Sequence, residues 1–422
     1  PIVTSSGHDV ASGLASLNQI DRQTNIHDNV NSNSQKVQKT FSTTLTSQSN
    51  TASMPAKPTT GTRARKIAVI GGGVSGLSAA YLLQRAANTD AYDGKEETTA
   101  GLQKVNEKDD SDSGKGSMTP ATGRPTSVTV FESEETLGGH ALTTHSATAG
   151  GKVDLGFQVF NMTTYPHLVG LFGELGVESE PSDMSFSLST GDVEWGSIGL
   201  KGVFAQRSNA RSGKFLKMIR EILRFGREAP EVLEPSRAKE FEDVSLGDYL
   251  AKRRYSQFFQ ESYVVPMCAA IWSCSDDDAL AFPVRTLVRF WVNHHLLNVV
   301  GRPVWRVVRG RSEKYVEAIE RELSDVRTGA YVEKVERLPS GEHVRVTYKK
   351  VDAKGRMRVE SEVFHDVVFA CHSDQALKIL GGTASEGEHK ALDAVKYQDN
   401  EVYLHTDETL MPRNRDAWAS WN

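Results

Sequence analysis

An α/β fold is predicted for this chain: a doubly wound parallel sheet of the Rossmann type, with a helical-plus-sheet domain inserted into it. Three stretches predict it. KIAVIGGGVSGLSAAYLL, starting at Lys66, reads as a strand, a glycine-rich turn and a helix, with Gly71, Gly73 and Gly76 on the G-x-G-x-x-G spacing. The first glycine allows the tight turn, the second lets backbone approach a pyrophosphate, and the third lets helix pack on strand. SVTVFESEETLGGHALT, starting at Ser127, supplies a second apolar strand that ends in Glu132 and is followed by Gly138 and Gly139. HDVVFACHSDQALKIL, starting at His365, reads as a buried strand running into a helix.

The chemistry follows from the first two stretches. Phosphates would sit at the helix N-terminus, where unpaired N–H groups and about half a positive charge point outward. The Glu132 carboxylate can accept hydrogen bonds from both ribose hydroxyls of an adenosine. An acidic residue in this role lies about 20 residues beyond the glycines, whereas Glu132 lies 56 residues beyond Gly76. The excess falls in residues 88–125, rich in Asp, Glu, Lys, Gly, Ser and Thr. Such a segment buries too little apolar surface to order itself and is predicted to be a disordered insertion between the crossover helix and the second strand.

Composition narrows the remainder. At 422 residues the chain suggests two or three domains. A net charge of −5 gives no electrostatic case for nucleic acid, and no apolar run reaches the length of a membrane span. Three scattered cysteines (Cys268, Cys274 and Cys371) make neither a disulfide framework nor a zinc knuckle, so no metal site is predicted. Residues 1–63, rich in Ser, Thr, Asn and Gln, are predicted to form a disordered tail. At the other end WASWN stops at Asn422 without tapering, which reads as a cut inside a domain.

Residues 64–160 are assigned to the first part of the nucleotide-binding domain and 305–384 to its second part. Residues 161–304 are assigned to a largely helical substrate domain, and 385–422 to an incomplete sheet of that domain. Within 161–304, a helix is expected from about Tyr165 to Val177, ending at Gly176. Ser245 is expected to cap another helix. In KFLKMIREILRFGREA, apolar residues recur at helical intervals, while Lys214, Lys217, Arg220, Arg224 and Arg227 fill much of the rest. A basic amphipathic helix can lie on an anionic membrane, although a solvated surface helix explains the same pattern. Two β-rich runs, GAYVEKVERL and EHVRVTYKK, flank a turn at Pro339, and EVYLHTDETLMP alternates as a half-buried strand.

Taken together, G-x-G-x-x-G, E-x(5)-GG, D-x-G, V-x-x-V and VVFA in this order resemble the amine-oxidase-like FAD-dependent oxidoreductases. Stretches such as VFNMTTYPHLVGLF, PSDMSFS, VVPMCAAIWS and AWASWN resemble a subgroup of flavoproteins often encoded beside, or fused to, cyclopropane-fatty-acid synthase-like methyltransferases. The resemblance implies FAD as cofactor, hydride transfer from a small-molecule or lipid substrate to flavin, and a possible methyltransferase partner. A lipid desaturase or isomerase, or a non-catalytic module partnering the methyltransferase, is the alternative. The scattered cysteines and the basic amphipathic stretch fit a cytoplasmic or peripheral-membrane location. By the same resemblance Gly71, Gly73, Val74, Ser75 and Gly76 would cradle the pyrophosphate, and Glu132 would hold the ribose. Gly138, Gly139 and His140 would follow the phosphates, with His140 standing where the group usually has Arg. Leu155, Gly156 and Phe157 would run beside the isoalloxazine, and Val332 would contact adenine through its backbone. It further implies that the last flavin-binding segment lies beyond Asn422.

No catalytic acid or base is assigned from the sequence. Trp272, Phe290, Trp291, His294 and His295 are candidates for pocket lining, with core packing the simpler reading of each. His372 and Asp374 follow a strand end, where either a functional role or a helix cap by Ser373 or Asp374 accounts for them. Arg302, Arg306, Arg309 and Arg311 form a local basic cluster suited to an acidic substrate or to a solvated face.

Overall fold

The computed structural model describes residues 2–5, 64–89, 126–148, 150–397 and 399–422. Its centre is a four-stranded parallel sheet of β1 (Arg65–Ile70), β2 (Thr126–Phe131), β5 (Asp325–Arg327) and β9 (Asp366–Phe369), in the order β5-β2-β1-β9. A parallel sheet covered on both faces needs near-continuous apolar strands, and β1 meets this with Ile67, Ala68, Val69 and Ile70 all buried. The period of two then divides them. Val69 packs with Ala80, Val128 and Val130 under helix α1 (Val74–Thr89). Ala68 and Ile70 pack with Phe131 against an antiparallel meander of β6 (Ala330–Arg337), β7 (Val344–Val351) and β8 (Met357–Phe364).

Between β2 and β5 the chain forms a hairpin of β3 (Thr143–Ser146) and β4 (Gly151–Asp154), then the helical region. That region contains helices Gly213–Glu228, Leu246–Lys252, Val265–Trp272, Asp276–Ala281 and Val284–Asn293 around Phe215, Met218, Phe225, Tyr249, Phe259 and Trp291. Serines start four of its helical turns. Ser212, Ser245, Ser256 and Ser275 each accept the backbone N–H three residues on, which satisfies one of the donors a helix start leaves unpaired. Helix α2 (Glu313–Glu320) returns the chain to the sheet, and α3 (Ser373–Leu380) follows β9.

Several expectations meet their elements. The helix expected from Tyr165 runs Pro166–Leu175 and ends on Gly176 at φ +66°, with Val177 N–H bonded to the Phe172 carbonyl. The alternating run near Val402 pairs at Val402–His405 with Ile2–Ser5, so four residues of the predicted tail carry strand structure; the rest of that tail lies outside the described residues. Helix α1 continues to Thr89, two residues into the stretch assigned to the insertion, and 90–125 likewise lies outside the described residues.

One ionic network ties meander to sheet. Arg327 bonds Asp325 at 2.8 Å and Glu362 at 2.9 Å, and lies over the Phe131 ring at 5.1 Å. Burial pushes the Asp325 and Glu362 carboxyls up, but hydrogen bonds from Arg327, with Thr129 on Asp325 and Lys66 on Glu362, outweigh it and hold both below their ordinary values. A depressed folded-state pKa stabilises above the unfolded value and is lost as pH falls through the folded one. The melting temperature should therefore fall below about pH 4. Arg327→Met should flatten that acid limb, a comparison thermal melts at stepped pH would decide.

Candidate functional site

The ends of β1, β2 and β9 converge on one glycine-lined cradle. Gly71 turns the chain at φ +112°, its N–H bonded to the Phe131 carbonyl at 2.8 Å, and a Cβ there would lie 2.6 Å from the Ala370 carbonyl oxygen. At Gly76 a Cβ would lie 1.8 Å from the Gly71 oxygen, so α1 rests directly on the turn. Gly73 differs: a Cβ would meet nothing nearer than the Gly139 Cα at 3.8 Å and would project into the open cradle. The amides of Val74, Ser75 and Gly76 precede the first α1 bond, Leu77 N–H to the Gly73 carbonyl at 2.9 Å. They form the donor end that attracts anions.

Glu132 closes one side of the cradle. It is buried, and one carboxylate oxygen accepts the Gly72 N–H at 2.7 Å while the other accepts the Glu134 N–H at 2.9 Å and the Ser133 hydroxyl at 3.1 Å. A carboxylate offers about four acceptor positions. Rotation of the Ser133 hydroxyl leaves two for an incoming diol. The Gly72 contact was not anticipated from sequence, because the middle of three glycines carries no signal of its own.

The second glycine pair forms the facing wall. Gly138 N–H donates to the Gly72 carbonyl at 2.9 Å, and Gly138 and Gly139 take φ of +124° and +56°. Gly156 packs so closely on this turn that a Cβ would lie 2.1 Å from the His140 carbonyl oxygen, which also accepts Phe157 N–H at 2.7 Å. Leu155 bonds the Leu142 carbonyl through its N–H, and the Phe157 ring meets Tyr315 edge-on. The exposed His140 ring lies 5.9 Å from His372, which stacks on Tyr397 at 4.4 Å. Val332 is buried in the meander two residues beyond Ala330, whose N–H donates to the Glu132 carbonyl at 2.8 Å.

Other candidates fall elsewhere. Trp291 is fully buried among the helices, which makes it core. His294 stacks on Phe290 at 4.0 Å, its Nδ1 is 2.9 Å from the Phe290 carbonyl, and Tyr165 meets its edge. Trp272 packs on Phe282 and Phe290, and His295 sits at φ +56° at the helix end. The arginine cluster is dispersed by its partners: Arg306 bonds Ser179, Arg309 bonds Glu178, Arg311 bonds the Lys152 carbonyl and Arg302 the Asn298 carbonyl. At α3 the N-cap is His372, without a side-chain cap bond. The Tyr397 hydroxyl accepts the Ser373 N–H at 2.9 Å, replacing the cap expected from Ser373 or Asp374. Among the described residues no group of three His, Cys, Asp or Glu could hold a metal ion, and no helix is long and apolar enough to cross a membrane.

The model of one family, flavin containing amine oxidoreductase, matches residues 74–419. The chain belongs to that family. Its fold is similar to those of solved amine oxidases. Wild-type putrescine oxidase bound to putrescine is 16% identical at a TM-score of 0.52, over 78% of this chain and 63% of that one. A mutant of putrescine oxidase scores 0.53 with the same identity and coverage. Cyclohexylamine oxidase from Brevibacterium oxydans is 15% identical at 0.49, over 78% and 63%. This chain thus spans less than two thirds of the length of these structures. No curated protein matches it. The family's cofactor is FAD, and the cradle fits it: at Gly71, Gly76, Gly138 and Gly156 a Cβ would strike backbone oxygen, whereas at Gly73 it would meet nothing nearer than the Gly139 Cα at 3.8 Å.

Proposed function

We propose that the chain is an FAD-dependent oxidoreductase acting on an organic small molecule. The observation that carries this is the pairing of an open amide cradle at Gly73–Gly76 with a buried Glu132 whose acceptor positions are only partly filled. Gly71, Gly73, Val74, Ser75 and Gly76 receive the pyrophosphate, Glu132 holds the adenosine ribose, and Gly138, Gly139 and His140 line the path of the phosphates. Leu155, Gly156 and Phe157 flank the isoalloxazine, and the Val332 backbone faces the adenine. FAD supplies hydride acceptance, while this chain's residues bind it, orient it and keep water from its reactive face. The lipid substrate and the methyltransferase partner rest on the subgroup resemblance alone; the scattered free thiols support a reducing compartment such as the cytoplasm, and the basic amphipathic helix a peripheral-membrane location.

Glu132→Ala is expected to weaken FAD binding by about 1.5–3 kcal/mol, the scale of a hydrogen bond to a charged group, or about tenfold to over a hundredfold. Fluorescence titration of the deflavinated protein measures it. Equal affinity in the two proteins would remove Glu132 from the site, and a wild-type protein that takes up no flavin would remove the function.

A further inference from the structure

We propose that the short helix Gly199–Val203 and the outer face of Gly213–Glu228 form a docking surface for an anionic lipid bilayer. The proposal makes the peripheral-membrane alternative specific and is independent of flavin chemistry. From Trp195 to Arg220 the chain carries Lys201, Arg207, Arg211, Lys214, Lys217 and Arg220 and not one Asp or Glu, although acids outnumber bases over its full length. All six side chains are exposed. Lys217 has one distant ion pair, 3.9 Å to Glu221; the other five pair with no carboxylate among the described residues.

The two elements packed against Gly199–Val203 do not cancel this charge. Glu194 has its carboxylate held by the N–H groups of Arg413 and Asn414, and Asp416 is accompanied by Arg413 and Arg415. Among the cations stand apolar side chains left in water: Leu200 at 78% exposure, Ile198 at 50% and Leu223 at 52%. Helix geometry sets the arrangement. Phe215, Met218 and Phe225 face the core, which turns Leu216, Arg220, Leu223 and Arg227 outward along one stripe.

Single exposed apolar residues are ordinary, and a solvated basic face is ordinary too. A bilayer is the occupant that takes up both at once, apolar tips into the acyl boundary and cations against phosphate and carboxylate headgroups. Lys214, Lys217, Arg220 and Arg227 span about 20 Å of the helix and Lys201, Arg207 and Arg211 precede it in the chain, an array suited to a surface rather than to one bound anion.

Co-sedimentation of the flavin-loaded full chain with vesicles tests this, using phosphatidylcholine alone and phosphatidylcholine with added phosphatidylserine. Binding is expected only to the second, with loss as salt rises to about 0.5 M. The variant Lys201→Gln/Lys214→Gln/Arg220→Gln should bind at least about tenfold more weakly. Leu200→Ser should weaken binding without altering its salt dependence. Flavin content and melting temperature should match wild type in both variants, which separates failure here from failure of the flavin assignment. Protein remaining in the supernatant with anionic vesicles, or a triple variant that binds as wild type, overturns the proposal. Retention on immobilised polyglutamate without vesicle binding would overturn it in favour of an acidic protein partner.

Discussion

Gly76→Ala is expected to destabilise the fold by about 3 kcal/mol and to abolish flavin binding, although alanine is the better helix former. In a helix interior alanine gains about 1 kcal/mol over glycine, so without a contact the substitution would stabilise. The contact decides the sign. The new methyl would lie 1.8 Å from the Gly71 carbonyl oxygen and 3.2 Å from the Ala370 Cβ, and the nearer atom is backbone that no rotamer change can move. Helix α1 must then lift from the turn, at the cost of an overpacked core and of the amides aimed into the cradle. Gly73→Ala is the matched control. Its methyl meets only the Gly139 Cα at 3.8 Å, so melting should stay within about 1 kcal/mol of wild type. FAD affinity should nonetheless collapse, because the methyl occupies the space above the donors. Thermal melts and flavin titration of both variants read the two effects separately. A Gly76→Ala protein that melts like wild type, or a Gly73→Ala protein that keeps its flavin, would contradict the division of labour between these glycines.

Sequence spacing reveals those two glycines because their work is local. Each acts within the β1 turn and the first turn of α1, so the pattern carries the geometry. Three of the four parallel strands are legible for a related reason: burial on both faces demands apolar runs such as IAVI and VTVF, whereas Asp325–Arg327 is too short and too polar to leave one. What stays hidden depends on partners far along the chain. Ala370, which forbids a side chain at Gly71, is separated from it by nearly the whole described fold, and Tyr397 caps α3 from beyond that helix. The third meander strand escapes for the opposite reason. MRVESEVF alternates Met357, Val359 and Val363 with charged residues, but all three apolar side chains are exposed, so the alternation marks no buried face. Helix Glu386–Asp393 buries no residue and is marked only by the Ser385–Glu388 capping box. The arginines at 302–311 form a cluster in one dimension and disperse in three, because each finds its own acceptor on a neighbouring segment.

Asp154 carries the second large expectation: Asp154→Ala should cost about 3 kcal/mol of stability, or about 4–5 °C in melting temperature for a fold of this size. Its carboxylate is buried and accepts the Thr143 hydroxyl at 2.6 Å, the Ser312 hydroxyl at 2.7 Å and the Ser312 N–H at 3.1 Å. Ser312 is the N-cap of α2 but its own side chain makes no capping bond, so Asp154 supplies from the β3–β4 hairpin the anion that the helix start favours. Alanine would leave the buried Ser312 amide and hydroxyl and the half-buried Thr143 hydroxyl without this acceptor, and unmade hydrogen bonds cost more than made ones gain. Asn keeps the shape and one acceptor oxygen, so Asp154→Asn should recover part of the loss. Flavin affinity should follow stability only partway. Asp154 immediately precedes Leu155, Gly156 and Phe157, and releasing it frees the segment that packs on the His140 carbonyl. Calorimetric melts with and without FAD distinguish the two contributions: if Asp154 anchors that segment, the FAD-induced rise in melting temperature shrinks in Asp154→Ala and returns in Asp154→Asn. An alanine variant with wild-type melting and a full FAD-induced shift would show that the hairpin and the helix hold their places without this carboxylate.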